Sequence, residues 1–205
     1  MSLVVVDYGA GNTGSVVNMC RRIGAEPVVT SVPEVIDRST KLLLPGVGAF
    51  DPAIDSLRGS GALEALLRRI AQGVITLGIC LGMQLLFEGS EEGTKPGLSL
   101  IPGFVKRLPA RTEIGEVAIP HMGWSPLRTT RSHPLIAGLS EDARFYFVHS
   151  YAAVPEVEAD VLSLSAHGDD FVSVVAHENV LGVQFHPEKS HRHGKSLLRN
   201  FIEMG

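Results

Sequence analysis

The sequence has two cysteines, one tryptophan and three tyrosines among 205 residues, and its basic residues do not outnumber its acidic ones. Two cysteines do not make a disulfide framework, so we expect a reducing, cytoplasmic setting. The net charge of -4 argues against nucleic-acid binding, for which a basic patch is expected. No apolar run approaches the roughly 18 residues of a membrane-spanning helix. The start "MSLVVVDYG" lacks the basic segment of a signal peptide.

The length and the 44% hydrophobic content favour a single globular domain over residues 1–205. Strand and helix patterns alternate through the first half, which predicts a mostly parallel sheet flanked by helices. The predicted strands are Leu3–Val6, Pro27–Thr30, Lys41–Leu44 and Val74–Ile79, and the predicted helices are Asn12–Ile23, Asp51–Ala71 with a break near Gly59–Gly61, and Leu81–Glu88.

The second half carries short β segments separated by glycine, proline and paired aspartates. This pattern predicts an added antiparallel or mixed β section before a closing helix at Gly194–Met204. The segments are "GFVKRL", "EVAIPHM", "RFYFVHSY", "VLSLSAH", "FVSVVAH" and "VLGVQF".

A glycine loop follows the first strand in "VVVDYGAGNTGS", where Gly9, Gly11 and Gly14 formally match G-x-G-x-x-G. A dinucleotide-binding turn of this type expects an acidic residue about 20 positions later, at the end of the second strand. Glu34 has the right count, but it follows Pro33 at what reads as the start of a helix. We therefore expect no dinucleotide cofactor and look for another use of the loop.

The most informative stretch is "ITLGICLGMQLL", in which an apolar strand runs directly into Gly78-Ile79-Cys80-Leu81-Gly82. This is a cysteine version of the nucleophile elbow, where a strained turn between strand and helix exposes the central residue. The N-terminus of the following helix lowers the pKa of a thiol, and its N–H groups stabilise an oxyanion. Cys80 is the predicted nucleophile, whereas Cys20 reads as a buried structural residue.

Of the eight histidines, His186 in "GVQFHPEKS" is the strongest candidate for the base that activates Cys80. Strand alternation would place His186 and Glu188 on one side, both facing Cys80 from a strand end. A metal cluster with His191 and His193 is the competing interpretation, but the spacing matches no standard zinc signature. We therefore predict no metal.

Several motifs together resemble the class I, triad-type glutamine amidotransferases: "PGVGAFD", "GICLGMQLLFEGSEEG" and "FHPEKS". "PHMGW" and "YFVHSY" narrow the resemblance to the glutaminase subunits of imidazole glycerol phosphate synthases. The motifs extend from Asp7 to Ser190, nearly the whole chain. The resemblance implies a flavodoxin-like fold, no cofactor, and a Cys-His-Glu triad of Cys80, His186 and Glu188 that hydrolyses glutamine through a glutamyl thioester.

The resemblance also implies residues that bind glutamine and stabilise the oxyanion. These are Gly46, Val47, Gly48, Leu81, Gln84, Glu92, Ser150 and Tyr151. It implies a partner, a (β/α)8-barrel cyclase that receives the ammonia in histidine biosynthesis. The residues implied at that interface are Asn12, Pro120, His121, Met122, Gly123, Trp124, Tyr146 and Lys189. Ser125 departs from the family, which commonly has asparagine after this tryptophan.

Two other classes of function remain open at the level of sequence. A stand-alone cysteine peptidase or γ-glutamyl hydrolase would keep Cys80 and His186 but would need no partner. A nucleotide-binding module would use the glycine loop without catalysis. Glutaminase activity measured with and without a cyclase distinguishes the stand-alone hydrolase from a partner-dependent subunit. A dinucleotide-binding measurement tests the nucleotide-binding module.

Overall fold

The computed structural model describes residues 2–113 and 115–205. Within this part of the chain the helices are α1 (Thr13–Arg21), α2 (Pro33–Ile36), α3 (Phe50–Gly59), α4 (Ala62–Ala71), α5 (Leu81–Gln84) and α6 (His191–Glu203). Short 3-10 turns lie at Pro134–Ile136, Glu158–Asp160 and Pro187–Lys189. None of the helices in the two described ranges is long and apolar enough to span a membrane.

The strands occupy both halves of the chain. The first four are β1 (Leu3–Val6), β2 (Val28–Thr30), β3 (Lys41–Gly46) and β4 (Ile75–Cys80). The others are β5 (Gly103–Arg107), β6 (Arg111–Thr112), β7 (Gly115–Glu116), β8 (His121–Pro126), β9 (Arg128–Thr129), β10 (Arg144–His149), β11 (Tyr151–Pro155), β12 (Val161–His167), β13 (Asp169–His177) and β14 (Val180–Val183).

Eight strands of the described chain form the central sheet, in the order β2-β1-β3-β4-β14-β13-β12-β9. The five strands from β2 to β14 in this order are parallel, and β13, β12 and β9 extend the sheet in antiparallel fashion. The pairs β8–β10, β5–β11 and β6–β7 form small antiparallel sheets. The predicted α/β class with an added antiparallel section is confirmed.

Alternation along the buried strands divides the core into two layers. Leu3 and Val5 face a layer that contains residues of α1 and α6. Val4 and Val6 face the opposite layer, which contains residues of α3 and α4. Because helices cover both faces, β1 is apolar throughout, as is typical of a doubly covered parallel sheet.

Several element boundaries differ from the sequence-based expectation, and three of them have a clear structural basis. The helix after Cys80 ends at Gln84, because the carbonyls of the next three residues accept hydrogen bonds from residues 98–101 instead of continuing the helix. The closing helix begins at His191, with the Gly194 N–H donating to the Ser190 carbonyl in its first turn. Strand β3 continues through Pro45 and Gly46, which the sequence suggested as a turn.

Candidate active site

Cys80 lies where β4 meets α5, with its backbone at φ 55° and ψ -114°. A side chain at positive φ is strained, and the close packing around the turn holds it there. A Cβ on Gly82 would lie 1.8 Å from the Leu44 carbonyl oxygen, and a Cβ on Gly78 would lie 2.7 Å from the Gly82 oxygen. The elbow therefore depends on glycine at both flanking positions.

His186 and Glu188 form a buried pair beside this elbow. Nδ1 of His186 lies 2.8 Å from Oε1 of Glu188, and their side chains are 2% and 1% exposed. Burial opposes a charged imidazole, but hydrogen bonding and charge from Cys80 and Glu188 raise the pKa of His186 to about 9. The second ring nitrogen, Nε2, has no hydrogen-bond partner of normal geometry among the described residues. It is therefore the nitrogen available for proton transfer with the thiol.

The prediction that strand alternation places Glu188 on the same side as His186 was wrong. Glu188 does not lie on an extended strand with His186, because Pro187 starts a 3-10 turn that covers both following residues. The turn brings the carboxylate back onto Nδ1 of His186. Glu188 therefore contacts Nδ1 of the imidazole and does not face Cys80 directly.

A cavity of about 560 Å³ opens over Cys80 and collects most of the residues that the sequence implicated. Residues from both halves of the chain line it: Asn12, Val47, Gly48, Cys80, Leu81, Gln84, Glu92, Pro120, Val148, His149, Ser150, Tyr151, His186 and Lys189. Gly46, at the end of β3, is the sheet partner of Cys80 at the end of β4. The cavity is large enough for an amino-acid side chain and backbone beside the thiol.

Glu92 enters the cavity from the loop after α5 and closes the N-terminus of α3. Its Oε2 accepts a hydrogen bond of 3.0 Å from the Phe50 N–H. Burial raises the pKa of Glu92, and this hydrogen bond partly offsets the effect. The same loop is tied to α3 by Asp51, which accepts hydrogen bonds from the N–H groups of Thr94 and Lys95. A carboxylate is thus fixed at the rim of the cavity.

The glycine loop after β1 packs against the residues that follow β3. The Ala10 carbonyl accepts a hydrogen bond of 2.7 Å from the Val47 N–H. A Cβ on Gly11 would lie 3.1 Å from the Pro45 oxygen. Asn12 caps α1 by accepting from the Ser15 N–H. Of the three glycines in this loop, Gly11 alone makes the close approach, since a Cβ on Gly9 or Gly14 would meet nothing within 4 Å.

Gln184 is a site residue that the sequence reasoning missed. It is completely buried, its Nε2 lies 3.8 Å from Sγ of Cys80, and its Oε1 accepts from Nε2 of Gln84 at 3.0 Å. A polar residue inside the apolar run "VLGVQF", two positions before His186, was the available signal. Tyr8 was also missed; its hydroxyl is buried without a partner in the described part of the chain. Burial, with a contribution from Cys80, raises its pKa.

The residues implied at a partner interface divide into two groups. Met122 and Trp124 are 63% and 42% exposed on β8, and Lys189 Nζ lies 5.6 Å from the Tyr146 ring centroid. The side chain of His121, by contrast, is on the buried face of β8, so it is not placed for direct contact with a partner. The segment forms strand β8, which pairs with β10.

Comparison with known proteins identifies relatives over the whole chain. The family model for glutamine amidotransferase class-I matches residues 4–204. The chain is 43% identical over 203 residues to imidazole glycerol phosphate synthase subunit HisH 2 of Pseudomonas aeruginosa, covering 98% of this chain and 99% of the relative. It is 45% identical over 202 residues to the HisH subunit of Sulfurimonas denitrificans, covering 98% and 97%.

Solved structures agree on the fold. A crystal structure of a glutamine amidotransferase superposes with a TM-score of 0.71 at 22% identity, covering 98% of this chain and 97% of that one. A glutamine amidotransferase from Thermotoga maritima gives a TM-score of 0.68 at 14% identity, covering 99% and 96%. At these identities the likeness concerns the fold alone.

Proposed function

Because this chain belongs to the class I glutamine amidotransferase family, we propose that it is the glutaminase subunit of an imidazole glycerol phosphate synthase. It hydrolyses glutamine to glutamate and ammonia and passes the ammonia to a cyclase subunit. The cyclase then makes imidazole glycerol phosphate and an aminoimidazole carboxamide ribotide for histidine biosynthesis. The strained Cys80 beside the buried His186–Glu188 pair is the observation that carries this proposal. Relatives 43% and 45% identical over nearly the whole length support the choice of subunit.

The first half of the reaction forms a covalent intermediate. Nε2 of His186, whose raised pKa favours the protonated ring, holds the proton given up by the thiol, and Sγ of Cys80 attacks the side-chain amide carbon of glutamine. The imidazolium is stabilised by Glu188, which also fixes Nδ1 as the protonated nitrogen. His186 gives its proton to the leaving nitrogen, the carbon–nitrogen bond breaks, and ammonia departs. A γ-glutamyl thioester remains on Cys80.

The second half releases glutamate. His186 removes a proton from an attacking water, the carbon–sulfur bond breaks, and the thiolate of Cys80 is reprotonated. Both halves pass through a tetrahedral oxyanion that needs N–H donors. The Leu81 N–H at the start of α5 is one proposed donor, because the first N–H groups of a helix have no partner within the helix.

A second donor is proposed to come from the segment Gly46–Gly48. In the present conformation the Val47 N–H donates to the Ala10 carbonyl, so it is not free to bind an oxyanion. Gly48, at φ +104°, provides the backbone freedom to reorient this peptide. We propose that cyclase and substrate together drive the reorientation, which links ammonia production to the presence of its consumer.

Glutamine is proposed to lie across the cavity with its amide at Cys80. Oε1 of Gln84 and the Glu92 carboxylate offer acceptors to the α-ammonium group, and the backbone of Ser150 and Tyr151 completes the pocket. The partner is proposed to be a (β/α)8 barrel that docks over Asn12, Pro120, Met122 to Trp124, Tyr146 and Lys189. Exposed Met122 and Trp124 on one strand support this surface, since tryptophan is a frequent interface anchor. The whole chain, residues 1–205, is proposed to form this one cytoplasmic glutaminase domain.

Replacing Cys80 with alanine tests the proposal directly. In the complex with the cyclase, the Cys80→Ala variant should lose glutamine-dependent synthesis and keep synthesis from added ammonia. Activity with glutamine would show that Cys80 is not the nucleophile. Full glutaminase activity of the isolated chain, unchanged by the cyclase, would favour a stand-alone hydrolase.

A further inference from the structure

A row of buried polar side chains begins at His149, in the wall of the glutamine cavity, and has no part in the triad mechanism. Nδ1 of His121 lies 3.2 Å from Nε2 of His149, and Nε2 of His121 lies 3.1 Å from Oγ of Ser125. Nδ1 of His149 lies 2.8 Å from the Tyr151 carbonyl oxygen. All three side chains are buried, and buried polar groups that form a complete network fix one arrangement of their neighbours.

The carbonyl at the end of this row sets the direction of every hydrogen bond in it. A carbonyl only accepts, so Nδ1 of His149 is the protonated nitrogen. Burial lowers the pKa of His149 to about 3 and that of His121 to about 4, so both rings are neutral near pH 7. A neutral imidazole has one donor and one acceptor. His149 therefore accepts from Nδ1–H of His121, and His121 accepts from the hydroxyl of Ser125.

The row ends in the pocket proposed to bind glutamine. The Tyr151 carbonyl accepts a second hydrogen bond, of 2.9 Å, from Nε2 of Gln84. The other Nε2 hydrogen of Gln84 goes to Oε1 of Gln184. With both amide hydrogens used inside the protein, Oε1 of Gln84 is the atom left to accept from a ligand. The orientation of the Gln84 amide thus depends on the Tyr151 carbonyl, and that carbonyl is held by His149.

We propose that Ser125, His121 and His149 are positioning residues that act as one directed hydrogen-bond chain. The chain fixes the Tyr151 carbonyl, and through it the Gln84 amide, in the orientation that binds glutamine. Without the Ser125 hydroxyl, His121 either keeps an unpaired Nε2 or changes tautomer. The second option turns two acceptor nitrogens, on His121 and His149, toward each other. The inference rests on the proposed glutaminase function, but the tautomers it requires can be measured without activity.

The first test is spectroscopic and uses the full-length, ¹⁵N-labelled protein. Long-range ¹H–¹⁵N correlation spectra should show His121 and His149 as neutral rings protonated at Nδ1, with assignments made from His121→Asn and His149→Asn variants. The Ser125→Ala variant should change the His121 signals, and Ser125→Thr should restore them. A wild-type ring protonated at Nε2 at either position would overturn the proposal.

The second test is kinetic and uses the complex with the cyclase. Ser125→Ala should raise the KM for glutamine about three- to tenfold, the effect of losing one net hydrogen bond, with kcat within about twofold of the wild type. Ser125→Thr should restore the wild-type KM, and synthesis from added ammonia should not change. The exposed Ser132→Ala is the matched control. An unchanged KM for Ser125→Ala would overturn the proposal.

Two variants of His149 distinguish a role in the hydrogen-bond chain from a role in packing alone. Asparagine keeps an amide donor near the position of Nδ1, whereas leucine removes it. His149→Asn should therefore raise the KM less than His149→Leu, and equal effects of the two would contradict a role through the Tyr151 carbonyl. If the wild-type complex lacks glutaminase activity, the proposed function fails. The measured tautomers of His121 and His149 still show whether the directed hydrogen-bond chain is present.

Discussion

Nδ1 of His186 and Oε1 of Glu188 lie 2.8 Å apart in a pair that solvent hardly reaches. An ionised carboxylate in this position accepts from Nδ1–H and leaves Nε2 as the basic nitrogen toward Cys80. The pair therefore sets both the tautomer and the basicity of the imidazole. Its geometry depends on the 3-10 turn at Pro187–Lys189, which places a residue two positions later behind the ring.

Glu188→Gln should reduce kcat for glutamine hydrolysis on the order of 10³- to 10⁴-fold in the complex with the cyclase. An amide NH₂ facing Nδ1 favours the tautomer protonated at Nε2, which cannot take the thiol proton. The pKa of His186 should also fall, as followed by NMR titration. Ammonia-dependent synthesis should be unchanged, and the exposed Glu156→Gln is the control. Near-normal kcat in Glu188→Gln would remove Glu188 from the mechanism.

Gln184→Met should lower kcat/KM for glutamine by about tenfold, because it removes the contact to Sγ of Cys80 and the acceptor for Gln84. The replacement preserves approximate volume, so the thermal unfolding midpoint should change little by comparison. Steady-state kinetics and circular dichroism on the same preparations separate the two effects. The exposed Gln72→Met serves as control. Unaltered kinetics would show that Gln184 only fills space.

Gly82→Ala should destabilise the fold by about 1 to 3 kcal/mol and abolish glutamine hydrolysis, since its Cβ would lie 1.8 Å from the Leu44 oxygen. Gly59→Ala, near the end of α3, meets nothing within 4 Å and should be neutral or stabilising by about 0.5 to 1 kcal/mol. Urea unfolding of the two variants measures the difference. Equal stabilities would contradict the tight packing of the elbow.

The buried histidines predict a loss of stability in acid. The folded-state pKa of His149, about 3, lies below its unfolded value of about 6.5. Its neutral state thus contributes stability that is present above pH about 6.5 and is lost as the pH falls toward 3. At pH 4.5 this amounts to about 2 to 3 kcal/mol for one histidine that stays neutral.

His149→Asn removes that contribution, so the drop in unfolding free energy between pH 7 and pH 4.5 should become smaller by about this amount. Urea titrations at the two pH values provide the measurement, with the exposed His191→Asn as the matched control. An identical drop in the wild type and in His149→Asn would show that His149 takes up its proton without opposing the fold.

The sequence alone was sufficient for the elements whose signals are local. The apolar strands, the glycine-flanked Cys80 and the candidate His186 all follow from short patterns that physical chemistry restricts tightly. A cysteine between glycines at a junction of strand and helix has few structural uses. The break between α3 and α4 near Gly59–Gly61 was equally local, and it was predicted correctly.

Relationships between distant segments were decided only by the tertiary structure. Gln184 and Gln84 are 100 residues apart in sequence, and their hydrogen bond exists because β4 and β14 are neighbours in the sheet. His121 matched an interface motif, but its side chain is on the buried face of β8. The pairing of β8 with β10 places it next to His149. Local patterns state which chemistry a residue offers, whereas sheet order and side-chain direction determine which other residue it meets.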